Sequence, residues 1–587
     1  MTDAVERAQA AVAAAEQAQA AAAEALRQAQ ADAVQDRAEA GQAADVAPAA
    51  TPGPLQESEV DDIRSGYQFE GDALEMGALV NGEARADVPV RIPIAMMNRH
   101  GLIAGATGTG KTKTLQGLAE QLSALGVPVF AADIKGDLSG IATPGEPSEK
   151  LTARTRGIGQ RWRAVAAPTE FFSLGGVGAG VPVRATVSGF GPLLMSKVLG
   201  LNDTQESSLG LVFHYAAKAG LPLVGLDDLR AVLSYLSTAE GKVELRDLGG
   251  LSAATVGVIL RELITFADDG ADVFFGEPEI DTTDFLRTTA DGRGIVSLLE
   301  VPGVQDKPAL FSTFLMWLLA DLFNDLPEVG DIDKPKLVFF FDEAHLLFRD
   351  ASKDFLTSIT QTVRLIRSKG VGIFFVTQTP KDVPNDVLAQ VGSRIQHQLR
   401  AHTPDDAKAL RATVSTYPTS GYDLGEVLQQ LATGEAIVTV MNERGAPSPV
   451  AWTRLRAPQG SMSPTPPERI AATVAASPLL PKYGTPVDRD SAHEILARKM
   501  GAAAEVAEGA RAAKEETESS RLAQAEYERM QASWRQDQKK STQKRPPTRR
   551  RAPATQKNPL DSFLSSATGR SVVRSVVQGI FGTLRRR

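Results

Sequence analysis

The run HGLIAGATGTGKTKTL, from His100 to Leu115, limits what this chain can fold into more than any other stretch. An apolar strand, a glycine-crowded bend and the start of a helix follow one another without a gap. Gly105, Gly110, Lys111 and Thr112 fit the spacing G-x-x-x-x-G-K-[ST]. Glycines let successive backbone N–H groups converge on phosphate oxygens, and the helix behind them adds the positive end of its dipole. The predicted contacts to a nucleoside triphosphate, taken as ATP, are Gly105, Ala106, Thr107, Gly108, Thr109, Gly110, Lys111, Thr112 and Lys113. Lys111 reaches the β and γ phosphates, and the Thr112 hydroxyl ligates Mg²⁺.

A second site element is LVFFFDEAH, Leu337 to His345. Five apolar residues deliver Asp342 to the C-terminal end of a strand, where open α/β sheets bind ligands. Two readings stand. Asp342 and Glu343 either cap a helix beginning near Ala344, or Asp342 holds the Mg²⁺ opposite Thr112 while Glu343 polarises an attacking water. A phosphate loop in the same chain favours the second.

GIFFVTQTP ends a further strand at Gln378, a residue able to bond the γ-phosphate or the lytic water, or else simply to face solvent. Arg364 and Arg367 lie upstream and Arg394 downstream. Each is a candidate to stabilise transition-state charge, in cis or across a subunit boundary, against the default of structural ion pairing. His345, His397 and His402 are too scattered in sequence to suggest a metal site and read as packing or surface residues.

Around these motifs, strand–helix–strand order with short connections predicts an α/β fold with a mostly parallel sheet. The expected organisation is an alanine-rich helix or weak coiled coil over 1–45, a linker over 46–65, and a core over 66–460 with a helical insertion at 190–290. A proline-containing connector (461–500), a charged helix (501–536) and a basic, largely disordered tail ending in a short amphipathic helix (537–587) follow. In that last segment Val573, Val576, Val577 and Ile580 share a helical face beside arginines.

Composition narrows the chemistry. Among 587 residues there is no cysteine, which excludes disulfides, thiolate metal sites and cysteine nucleophiles. No secretory signal is visible, and the longest apolar stretch, from Leu310, carries Asp321 and is too short to span a bilayer. A soluble, cytoplasmic protein with no integral membrane segment is expected. From Gln538 onward thirteen basic residues stand against one acid, Asp561. That end therefore carries about +12 and the rest about −20, for a formal net charge of −8.

Taken together, NRHGLIAGATGTGKT, DIKGD, KLVFFFDEAHLLF, VRLIRSKGVGIFFVTQTP and VGSRIQHQLR resemble the HerA/FtsK superfamily of P-loop motor ATPases. PVRATVSGFGPLLMSKVLGLNDTQES and LSAATVGVILREL look like the YjgR-type branch of HerA-like NTPases. The resemblance covers roughly residues 66–460. It implies a RecA-like, additional-strand (ASCE) P-loop core, a homo-hexameric ring, ATP sites at subunit boundaries and double-stranded DNA as cargo. It makes Gln378 the sensor and Arg367, eleven residues before it, the trans-acting finger, with Arg394 second. It also matches Asp133 to an acidic position near the nucleotide.

One departure is the short stretch before the phosphate loop. Some thirty residues stand where HerA proteins carry a longer β-barrel, which argues against docking of a nuclease partner. No zinc module, recognition helix or aromatic-studded basic strand reads DNA in the sequence, and an acidic body is a poor footprint for it, although a ring can confine positive charge to its pore. Two other readings therefore remain: an ATP-driven switch or protein-remodelling machine whose tails recruit a protein partner, and a scaffold held at a membrane surface by its last segment.

Overall fold

The computed structural model of the chain describes residues 53–301, 308–330, 332–348 and 353–540. The segments read as an alanine-rich helix (1–45) and, beyond Lys540, as a basic tail with an amphipathic end lie outside the described residues.

One twelve-stranded sheet organises the fold, in the order β2-β1-β12-β11-β10-β3-β9-β8-β4-β7-β5-β6. The strands are β1 (Ala73–Asn81), β2 (Glu83–Pro93), β3 (Gly101–Ala104), β4 (Val129–Asp133), β5 (Thr169–Leu174) and β6 (Val181–Val183), then β7 (Val296–Glu300), β8 (Leu337–Phe341), β9 (Val371–Thr377), β10 (Ser393–Gln396), β11 (Glu435–Thr439) and β12 (Ala451–Leu455). From β10 to β6 every pairing is parallel; β11, β12, β1 and β2 extend one edge antiparallel.

Burial explains the apolar runs. In β8 Phe339 and Phe341 face one core while Val338 and Phe340 face another, so both sides of the strand are covered. Helix Lys111–Ala124 buries Leu115, Leu118, Ala119 and Leu122 at helical spacing against the second of these cores. In the first, Phe130 and Phe172 pack edge-to-face on Phe285, and Phe314 and Trp317 pack edge-to-face on Phe274.

β9 lies between β3 and β8. That interposed strand, with the parallel order β10-β3-β9-β8-β4, is the RecA-like, additional-strand α/β core. The stretch expected to be helical carries helices Val187–Val198, Asp203–Lys218, Leu226–Leu236, Ala239–Glu244 and Ala253–Asp268. Ser252 accepts a cap from Thr255 N–H at 3.0 Å.

The end of the expected linker is a correction. Helix Glu57–Gly66 begins inside it, because Val60 and Ile63 sit one turn apart and bury together in the core that holds β1 and β2. The expected connector likewise contains helices Pro467–Ala475 and Leu480–Tyr483, anchored by buried Ile470 and Tyr483. The chain divides into two compact units, Met1–Lys499 and Met500–Arg587. Helix Ala492–Lys540 supplies the described residues of the second. Among the described residues no helix is long and apolar enough to cross a membrane.

Candidate nucleotide site

Three strand ends build the site. β3 is extended by the glycine loop, which runs alongside the segment after β10. His397 N–H donates to Ala104 O at 2.7 Å, and Ala106 N–H donates to Gln398 O at 2.8 Å. From the other side Gly105 N–H reaches Thr377 O at 3.2 Å, and Gly434 N–H binds Thr109 O at 3.0 Å. The loop is thus held on both flanks. Gly110, at φ 109°, hands over to helix Lys111–Ala124 with no side-chain cap, so the first-turn N–H groups are left for a ligand.

Beneath the loop sits His397, fully buried. Its Nε2 lies 3.0 Å from Thr114 Oγ1. Burial, aided by the charge of Lys111, drives its pKa down to about 3, so the ring is a neutral buttress. The sequence marked His397 only as a packing or surface residue.

Lys111 Nζ is held at the loop, donating to Gly105 O at 2.7 Å and Ala106 O at 3.2 Å. Burial lowers its pKa, while the charges of Glu343 and Asp342 pull it back up. That coupling puts the β8 carboxylates within electrostatic range of the cradle. β3 and β8 are two strand spacings apart, about 10 Å. In register, Phe341 pairs with Phe375 and Ile103 with Val376, so Asp342, one residue past Phe341, is level with Ile103 near the end of β3.

Asp342 and Glu343 are each 6% exposed. Burial first, and the neighbouring Glu343 charge second, push the Asp342 pKa up to about 7. Ala344 N–H is anchored to Val376 O at 2.8 Å, and Glu343 takes φ 49°, a conformation that non-glycine residues seldom hold. Asp342 Oδ1 accepts from Glu343 N–H at 2.9 Å rather than from a helix start. The donors on offer to a metal, a Thr112 hydroxyl at the helix start and a buried carboxylate, are hard oxygens that suit Mg²⁺.

The remaining residues spread over a wider area. Gln378 is exposed beyond β9 and borders a cleft with Thr107, Thr379, Lys381, Arg400 and Asp406. Lys113 Nζ donates to Gln116 Oε1 and the Asp137 carbonyl. Asp133 accepts three backbone N–H groups from its own following turn. Arg394, on the interior strand β10, donates through Nη1 to Thr416 Oγ1 at 2.9 Å. Exposed Arg364 is near the end of helix Lys353–Ile366.

Arg367 stands in the turn Arg367–Lys369 before β9, near buried His100, whose pKa burial lowers to about 4 with help from the Arg367 charge. Along β9 that is about 20 Å from the cradle of its own chain. Arg367 therefore cannot touch the γ-phosphate bound by its own loop.

Two residues escaped the sequence reading. Lys135, in DIKGD, pairs with Glu343. Arg400 Nη2 lies 3.4 Å from Thr107 O at the loop tip. In both cases the signal was a cation just past a core strand's C-terminal end.

The family model described as "Helicase HerA-like C-terminal" matches residues 79–587. The DNA double-strand break repair helicase HerA of Saccharolobus solfataricus is 22% identical over 390 residues, covering 66% of this chain and 69% of that protein. The probable helicase MJECL08 of Methanocaldococcus jannaschii is 24% identical over 388 residues, covering 63% and 68%. Among solved structures, the unbound bacterial conjugative coupling protein TrwB has a TM-score of 0.47 at 15% identity, over 70% of this chain and 94% of that one. VirB4 of Thermoanaerobacter pseudethanolicus has a TM-score of 0.41 at 13% identity, over 66% and 97%. Matched over most of its length, this chain belongs to the helicase HerA-like C-terminal family.

Proposed function

We propose that the protein is an ATP-hydrolysing motor that assembles as a ring, a homo-hexamer, and moves along double-stranded DNA. The observation that carries the reading is the convergence at one end of the parallel sheet. There the glycine loop after β3, the Asp342–Glu343 pair after β8 and Gln378 after β9 meet. The loop N–H groups, the helix start and Lys111 bind the phosphates. Thr112 and Asp342 hold Mg²⁺, which when bound neutralises charge on the phosphate oxygens. Glu343 takes up a proton from the attacking water, and Gln378 orients that water or the γ-phosphate.

A ring explains Arg367. Too far from its own cradle, it serves the neighbouring copy as a finger, with Arg394 second in line. DNA as cargo rests on family membership and on the S. solfataricus relative, described as a DNA double-strand break repair helicase. The charge of about −20 before Gln538 favours a second reading, an ATP-driven switch whose partner is a protein.

ATP turnover measured at low salt with and without duplex DNA, alongside molar mass in solution, tests the proposal. Stimulation by duplex and a mass of six copies are expected. Turnover indifferent to any DNA would leave the switch.

A further inference from the structure

The motif DIKGD lies at the end of β4, and its Lys135 has no assigned part in the chemistry. Asp133, 2% exposed, accepts from the N–H groups of Gly136 at 2.7 Å, Leu138 at 2.9 Å and Ser139 at 3.2 Å. One carboxylate thus ties down the whole turn, and Gly136, at φ 75°, lets the chain reverse there. The turn projects Lys135 across to the end of β8, where its ammonium pairs with Glu343 Oε1. The other oxygen, Glu343 Oε2, lies 3.2 Å from His345 Nδ1.

Most ion pairs at a protein surface contribute little. This one differs in what it holds. The Glu343 side chain is 8% exposed and Lys135 42%, so a reachable cation grips a buried carboxylate. The Lys135 charge also acts on Lys111 and Asp342, which places the ammonium among the groups that surround the γ-phosphate position. A glutamate has three side-chain torsions, and a left-handed backbone alone does not aim its carboxylate. Lys135, bonded to one of its oxygens, does.

We infer that Lys135 is a positioning residue for ATP hydrolysis: it aims the Glu343 carboxylate at the attacking water, and Asp133 in turn holds the loop that carries it. This rests on the reading that Glu343 is the water-polarising group. Lys135 itself need not touch the nucleotide.

The test uses the full chain, with steady-state ATP turnover and binding of a fluorescent ATP analogue. Lys135→Met should lower kcat about a hundredfold, as expected when a catalytic group is misplaced by about 1 Å, with KM and analogue binding near wild type. Lys135→Arg, which keeps the charge, should recover most of the rate. In a Glu343→Gln background Lys135→Met should cost nothing further, because the two act as one unit. Lys135→Met turning over at the wild-type rate or faster would overturn the inference, as would a loss shared between kcat and binding. A wild-type protein with no Mg²⁺-dependent turnover would sink the hydrolysis reading itself, and this inference with it. An active wild type with an unaffected Lys135→Met sinks only the role of Lys135.

Discussion

Alanine at Gly105 measures how tightly the phosphate loop is fitted. A Cβ there would sit 2.4 Å from His397 Cβ, and 3.1 Å from both His397 Cα and Thr109 Oγ1. Carbon atoms in contact prefer about 3.5 Å, so something must move by about 1 Å. His397 cannot yield easily, being fully buried, bonded through its N–H to Ala104 O at 2.7 Å and set with its ring against Thr114. The loop is no freer, since Gly105 N–H and Ala106 N–H are both engaged by neighbouring strand ends. Overpacking of this kind costs about 1–3 kcal/mol. Taken up by the loop, that cost weakens nucleotide binding by up to about a hundredfold, at 1.4 kcal/mol per factor of ten.

Gly108→Ala is the matched control. Nothing lies within 4 Å of a Cβ at Gly108, so only the strain of φ 83° remains, about 1–2 kcal/mol. Binding of a fluorescent ATP analogue with Mg²⁺, followed by anisotropy and paired with far-ultraviolet circular dichroism, ranks the two. Gly105→Ala should be folded and the weaker binder. Wild-type affinity in Gly105→Ala, or a greater loss in Gly108→Ala, would refute the picture of a loop pinned on His397.

Glu343→Gln should bind ATP and fail to release it as ADP, seen as radiolabelled ATP retained after gel filtration. Arg367→Ala should be inactive alone yet restore turnover when mixed with Lys111→Ala, because each then supplies what the other lacks; mixtures that stay inactive argue against a finger in trans. His397 has a pKa held near 3 by burial, far below the ordinary imidazole value of about 6.5. The folded chain then binds fewer protons than the unfolded, so the stability linked to His397 is complete above about pH 6.5 and erodes as pH falls. From about pH 8 to about pH 5.5 the wild type should lose about 1.4 kcal/mol relative to His397→Asn, by denaturant titration.

The parts of this protein that show in its sequence are those where local rules and tertiary structure agree. The glycine loop, Asp342 and the ends of β4, β8 and β9 were legible, because strands buried on both faces leave unbroken apolar runs that stop abruptly at polar residues. β12 was not, since Ala451–Leu455 is an edge extension that owes its place to pairing with β11 and β1. The same holds for helix Glu57–Gly66, whose mean composition is polar and whose two buried residues count only once a sheet is there to receive them. Lys135 and His397 each depend on a partner more than two hundred residues away in the chain, Glu343 for one and Thr114 for the other, which no local pattern encodes.

The central claim is that the β3 loop and the β8 carboxylates serve a single Mg²⁺-bound nucleotide. The most direct measurement is the rate of phosphate release from ATP by the purified full chain, with and without Mg²⁺, beside Lys111→Ala and Asp342→Asn. Turnover that requires Mg²⁺ and disappears in both variants is the predicted result. Phosphate release that survives either substitution, or proceeds equally without Mg²⁺, would contradict it.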